Sequence, residues 1–110
     1  MKLYRKKPMA VEVMQFEYNS ECLSKLASWM GPNMKTSGKA RHLDAKGWLE
    51  VMTLEDGTGE HSVKHIATEG DYIVKGPFGE FWPVKPNIFE STYEEINVLD
   101  HKFKLDLDLL

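Results

Sequence analysis

Between residues 48 and 84 the chain is cut by turn residues into short apolar runs, and that spacing favours antiparallel strands joined by hairpins. Residues 48–54 read as a strand, and Asp56-Gly57 behind them is a hairpin pair. Residues 60–67 would be the return strand. Glu69-Gly70-Asp71 turns the chain again, residues 72–75 make a short strand, Gly76-Pro77-Phe78-Gly79 is a tight turn, and residues 80–84 run back. None of these runs is long enough for an amphipathic helix of ordinary length.

The first third reads differently. Residues 9–16 are apolar on both faces, which predicts a central strand or one bulged near Glu12. Asn19 or Ser20 can cap a helix, and Glu21 suits its positive end. Leu23, Leu26, Ala27 and Met30 then share one helical face, and Gly31-Pro32 stops the helix. Residues 33–38 read as loop and 39–43 as a weak strand. Pro86 favours a helical turn over 86–90, and residues 92–99 read as a last core strand. The expected fold is therefore α+β: a small, mostly antiparallel sheet or partly open barrel, with one N-terminal helix and a short helical turn near 86–90. A length of 110 residues suits one domain spanning 1–110. In residues 101–110, Phe103, Leu105, Leu107 and Leu109 alternate with Lys102, Lys104, Asp106 and Asp108. Such a strand should pair with its own sheet or with a second subunit, so a homo-oligomer is expected.

Charge and composition narrow the class of partner. A formal net charge of −3 argues against a dedicated nucleic-acid module, which needs surplus cations against phosphates. The one cysteine, Cys22, permits no intrachain disulfide, and a reducing cytoplasm suits that. Glu12, Gln15 and Glu17 interrupt the apolar residues behind the basic start, so no signal peptide is read there. No run approaches the roughly 20 apolar residues of a membrane span.

Two stretches carry a resemblance. One is the opening Lys2-Leu3-Tyr4-Arg5-Lys6-Lys7-Pro8 with Val11, Glu12 and Phe16. The other runs from Gly70-Asp71-Tyr72-Ile73-Val74-Lys75-Gly76 through Gly79-Glu80-Phe81-Trp82-Pro83 to Lys85-Pro86-Asn87-Ile88-Phe89-Glu90. Together they resemble a family of small phage and prophage proteins of unassigned function. Trp82, Val84 and Asn87 stand where that family commonly has Tyr, Cys and Asp. The resemblance implies a phage origin and expression inside a bacterium, and it implies no chemistry.

Candidate functional residues follow from charge and aromaticity. Lys2, Arg5, Lys6 and Lys7 form the densest positive patch, which could anchor phosphates or simply be a solvated edge strand. Phe81 and Trp82 must point to opposite faces of their strand, so one should lie near the surface beside Lys75 and Lys85. The expected ligand site is thus Arg5, Lys7, Lys75, Trp82 and Lys85, where cations meet phosphates and a base stacks on Trp82. Gly76–Gly79 lacks the Lys-Ser/Thr and the helix of a phosphate loop. His61 and His65 on one strand are roughly 13 Å apart, too far to share a metal. Glu55 and Asp56 suit a turn, and Asp71 is read as closing one. Glu80 and Glu90 could be a general acid/base pair if they shared a cleft, which nothing in the sequence indicates, and Cys22 reads as a small buried hydrophobe. No catalytic motif, metal site or cofactor is expected. The expected function is non-enzymatic binding by a phage protein: sequestration of a phosphate-bearing small molecule such as a cyclic-nucleotide immune signal. The alternative is a protein–protein inhibitor of a host factor or a virion accessory protein.

Overall fold

A computed structural model describes residues 1–5, 7–42, 44–54 and 62–97. Its strands form two three-stranded antiparallel sheets that do not close into a barrel, and with two helices they make a small α+β fold. The first sheet has the order β1-β5-β6, from β1 (Glu12–Gln15), β5 (Tyr72–Lys75) and β6 (Phe81–Val84). The second has the order β2-β3-β4, from β2 (Met34–Gly38), β3 (Trp48–Leu54) and β4 (Ser62–Thr68). Helix α1 (Ser20–Met30) follows β1, and α2 (Pro86–Thr92) follows β6 with Pro86 in its first turn.

Helix α1 begins where the Asn19 side chain accepts a hydrogen bond from the Cys22 amide at 2.8 Å. It ends at Gly31, whose φ of +57° suits glycine. Leu26 and Met30 are buried as expected, but Ala27 is exposed and Trp29 takes its place in the packing. The helix has turned so that Cys22, Leu26 and Trp29, spaced four and three apart, face the sheets. The Trp29 ring meets Phe81 edge-on at 5.0 Å, and its indole N–H donates to Glu12 Oε2 at 3.1 Å.

Three expectations about strands are corrected. Residues 34–38 form a strand rather than a loop. β2 lies at a sheet edge and carries Lys35, Thr36 and Ser37, so it lacks the apolar alternation by which a strand is recognised. Gly38 admits the Trp48 ring, which a Cβ there would approach to 2.6 Å. Residues 39–42 are not a strand. Residues 93–97 are not a core strand either: α2 runs on to Thr92, and 94–97 are exposed. β1 covers only Glu12–Gln15 of the expected 9–16 run and lies at a sheet edge rather than centrally, and residues 1–5 and 7–10 lie exposed outside any strand. The Asp56-Gly57 turn and the 101–110 tail lie outside the described residues.

Both sheets contribute to one core of Phe16, Leu26, Met30, Leu49, Val51, Ala67, Ile73 and Phe81. Each large side chain there contributes about 1.5–3 kcal/mol by leaving water. Thr53 Oγ1 donates to the Phe81 carbonyl, which fastens β3 to β6. The sheets are also joined at the β4–β5 turn. Gly70 has φ of +95°, its amide donates to the Phe16 carbonyl at 2.8 Å, and the Phe16 amide donates to the Asp71 carbonyl at 2.8 Å. Asp71 is 2% exposed. Its Oδ2 accepts from the Thr68 amide at 2.9 Å and from Lys85 Nζ at 2.8 Å. A buried carboxylate without such partners would be very costly.

Removing that carboxylate should loosen the junction. Asp71→Ala is expected to lower stability by about 2–4 kcal/mol, and Asp71→Asn by about half as much, because the amide oxygen still accepts from Thr68. Urea unfolding measures both, and an unchanged midpoint for Asp71→Ala would contradict the assignment.

Candidate contact surface

The β5–β6 hairpin ends in a turn built to hold one shape. The Gly76 amide donates to the Glu80 carbonyl at 2.8 Å, and the Gly79 amide donates to the Gly76 carbonyl at 3.2 Å. The Phe78 amide donates to Glu80 Oε2 at 2.9 Å. Gly79 has φ of +80°, which a larger residue would adopt only under strain. Gly76 is buried, and a Cβ there would run into the Glu80 carboxylate and the Trp82 ring. This frame presents Phe78 at 93% exposure, with the exposed Pro77 beside it. Among the described residues after β3, the other exposed large apolar side chains, Ile66, Ile88 and Ile96, are 42–52% exposed, so Phe78 on its braced turn stands apart.

The register shows how the expected site residues lie. Lys75 pairs across to Phe81 on one side and to Glu12 on the other, so these three share a face. Lys75 Nζ sits 3.8 Å from Glu12 Oε2 and 5.7 Å from the Phe81 ring centre. Phe81 is the core aromatic of the pair. Trp82 pairs with Val74 on the opposite face and is half-buried. Lys85 follows β6 at the other end of the sheet and is held by Asp71 and by Thr68 Oγ1 at 3.2 Å. Arg5 and Lys7 are exposed and pair with no described residue. Their segment enters β1 at Glu12, opposite Lys75, and so at the end of the sheet where the Phe78 turn stands. The five residues therefore do not converge on a pocket. The register puts Lys75 at the end of the sheet where the segment carrying Arg5 and Lys7 joins β1, Trp82 on the far face, and Lys85 at the opposite end.

Two features escaped the sequence reading. One is the exposure of Phe78, which opens the 78–85 segment expected to carry the binding element but is not singled out there beside Phe81 and Trp82. The signal was its place between Pro77 and Gly79, where a side chain cannot enter the sheet. The other is a ring stack on the Trp82 face: Tyr72 lies 3.9 Å from Phe89, and Phe89 lies 4.8 Å from Tyr93, all nearly parallel. Phe89 and Tyr93 are four apart, the spacing that brings side chains together on a helix. This stack seats α2 against the sheet.

The remaining candidates have structural work. Glu80 holds the Phe78 amide while Glu90 is exposed on α2. His65 lies on β4, and His61, Glu55 and Asp56 lie outside the described residues. Among the described residues no three His, Cys, Asp or Glu side chains group as metal ligands. The Cys22 thiol is half-buried, accepts from the Glu17 amide at 3.3 Å and donates to the Gln15 carbonyl at 3.4 Å. It borders a shallow depression with Met14, Glu17, Asn19, Glu21 and Lys25, which holds none of the expected ligand residues. No helix among the described residues is long and apolar enough to cross a membrane. No family model, curated protein or solved structure matches the chain.

The turn geometry separates two substitutions. Gly76→Ala should cost about 1–3 kcal/mol, because Glu80 and Trp82 must both move. Phe78→Ser should stay within about 0.5 kcal/mol of the parent, because Phe78 packs on little. Paired urea titrations test this, and equal losses for the two would contradict it.

Proposed function

We propose that the chain is a non-enzymatic binding protein that meets a protein partner through the β5–β6 turn, with Phe78 as the anchor. One observation carries this reading: a nearly fully exposed phenylalanine on a turn whose backbone is fixed by three hydrogen bonds. A preformed turn loses little freedom on binding, and an aromatic that fills a pocket is a typical centre of binding energy. The motif resemblance supplies the setting, a phage protein acting in the cytoplasm of its bacterial host against a host factor, or as a virion accessory. A photo-crosslinking phenylalanine analogue at position 78 tests the contact in infected or expressing cells. It should trap a discrete protein that the same probe at Ile66, an exposed residue of β4, does not. Phe78→Asp should weaken binding of that protein by about 30-fold or more, as hot-spot loss does. Equal crosslinking from both positions would contradict the reading.

A second reading is capture of a phosphate-bearing small molecule such as a cyclic nucleotide. One observation favours it: Arg5 and Lys7 are exposed, engage no described carboxylate, and enter the sheet at the end where the turn stands. A thermal-shift panel of cyclic di- and trinucleotides and cyclic ADP-ribose isomers tests it, beside native mass spectrometry. The expected result is a stabilisation lost in Arg5→Ala/Lys7→Ala and weakened by salt. Absence of any shift or bound mass would count against these ligands.

A further inference from the structure

Residues 1–11 hold four of the chain's 14 lysines and arginines and no carboxylate, so the rest of the chain is strongly acidic. The segment is also apolar. Leu3 is 87% exposed, Tyr4 88% and Met9 58%, and no described hydrogen bond, ion pair or ring contact holds any of them. A basic, apolar stretch left in water has the composition of a binding segment without its partner.

A complementary surface lies elsewhere on the same chain. From 86 to 97 there is no lysine or arginine, while Glu90, Glu94 and Glu95 are exposed. Ile88 and Ile96, 52% and 42% exposed, lie within the same stretch. Phe89 stacks on Tyr72 and Tyr93 on Phe89, so α2 is anchored to the sheet and carries Glu90, with Glu94 and Glu95 directly behind Tyr93. Charge and apolar content on this strip match those of the leading segment.

The topology bears on which copy supplies the partner. Residues 1–11 enter the β1-β5-β6 sheet at Glu12, opposite Lys75. α2 is seated at the other end, on Tyr72, which pairs with Gln15 and Val84. The segment and the strip therefore belong to opposite ends of one sheet. Two copies related by a twofold axis, running in opposite senses, bring each segment to the other's strip. That arrangement is self-complementary and closed.

We infer that residues 1–11 form an exchange arm that docks on residues 88–96 of a second copy, making a twofold dimer. The contact pairs Lys2, Arg5 and Lys7 with Glu90, Glu94 and Glu95, and covers Leu3 and Tyr4 with Ile88 and Ile96. This does not rest on the reading of Phe78.

Charge exchange tests it on the full chain. One variant carries Lys2→Glu, Arg5→Glu and Lys7→Glu, and another carries Glu90→Lys, Glu94→Lys and Glu95→Lys. All six residues are exposed, and circular dichroism checks that both variants stay folded. Light scattering at low salt should give a dimer for the parent, monomers for each variant alone, and a dimer again when the two are mixed. The parent dimer should also weaken as salt rises from about 0.05 M to about 0.5 M, where screening shortens to a few ångströms. A monomeric parent at low salt, a variant that stays dimeric alone, or a mixture that stays monomeric would each overturn the inference. So would a dimer that removal of residues 101–110 abolishes while arm reversal leaves it intact.

Discussion

The Asp71 carboxylate is the constraint around which the two sheets are set. It lies in the turn between β4 and β5, where the chain leaves one sheet for the other. One oxygen accepts from the Thr68 amide behind it and from Lys85, which comes from the far end of β6. The same residue's carbonyl receives the Phe16 amide at the end of β1. Three segments, the β4–β5 turn, the end of β1 and the end of β6, thus meet at one residue. An ion pair between a buried carboxylate and an exposed lysine is weak as a source of net stability, since desolvation of the carboxylate offsets much of the attraction. Its stronger effect is on specificity. Any packing that separates Lys85 from Asp71 strands a buried charge, so the alternatives are penalised more than the native arrangement is favoured.

That constraint reaches the hairpin tip. With Lys85 held, the register Tyr72–Val84 to Lys75–Phe81 is fixed along β5 and β6. A slip by one residue would turn Phe81 out of the core and Trp82 into it. The turn is then locked at its own end by Glu80, whose carboxylate would be crowded by any side chain at Gly76. Phe78 is exposed because both ends of its hairpin are fixed, not because the segment is loose.

Much of the second half of this fold is legible in the sequence because its signals are local. Trp48–Leu54 and Tyr72–Lys75 appear with the bounds expected, and the Gly70 and Gly79 turns fall where glycine spacing put them. Local signals fail where tertiary pairing decides. β2 has no apolar alternation, and only its register against β3 makes it a strand. Residues 93–97 are expected in a strand, but Tyr93 stacks on Phe89, which stacks on Tyr72, and 94–97 are left exposed behind it. The candidate site was legible only in part. Opposite faces for Phe81 and Trp82 follow from strand geometry. Which of them faces the core depends on α1, whose Trp29 packs on Phe81, and no spacing within the hairpin reveals that.

The lysines make the same point about function. Lys75 and Lys85 stand beside an aromatic motif and look available in one dimension. In three, Lys75 is shared between Glu12 and the Phe81 ring, and Lys85 is bound to the buried Asp71 carboxylate. An incoming anion would have to displace a partner from each, and at Asp71 it would leave a buried charge behind. Arg5 and Lys7 carry no such cost. Of the four cations expected at the site, Arg5 and Lys7 are thus the two without a partner among the described residues, while the hairpin tip presents Phe78. The segment ahead of β1 joins the β1-β5-β6 sheet at the end that carries the Phe78 turn, because Glu12 pairs with Lys75.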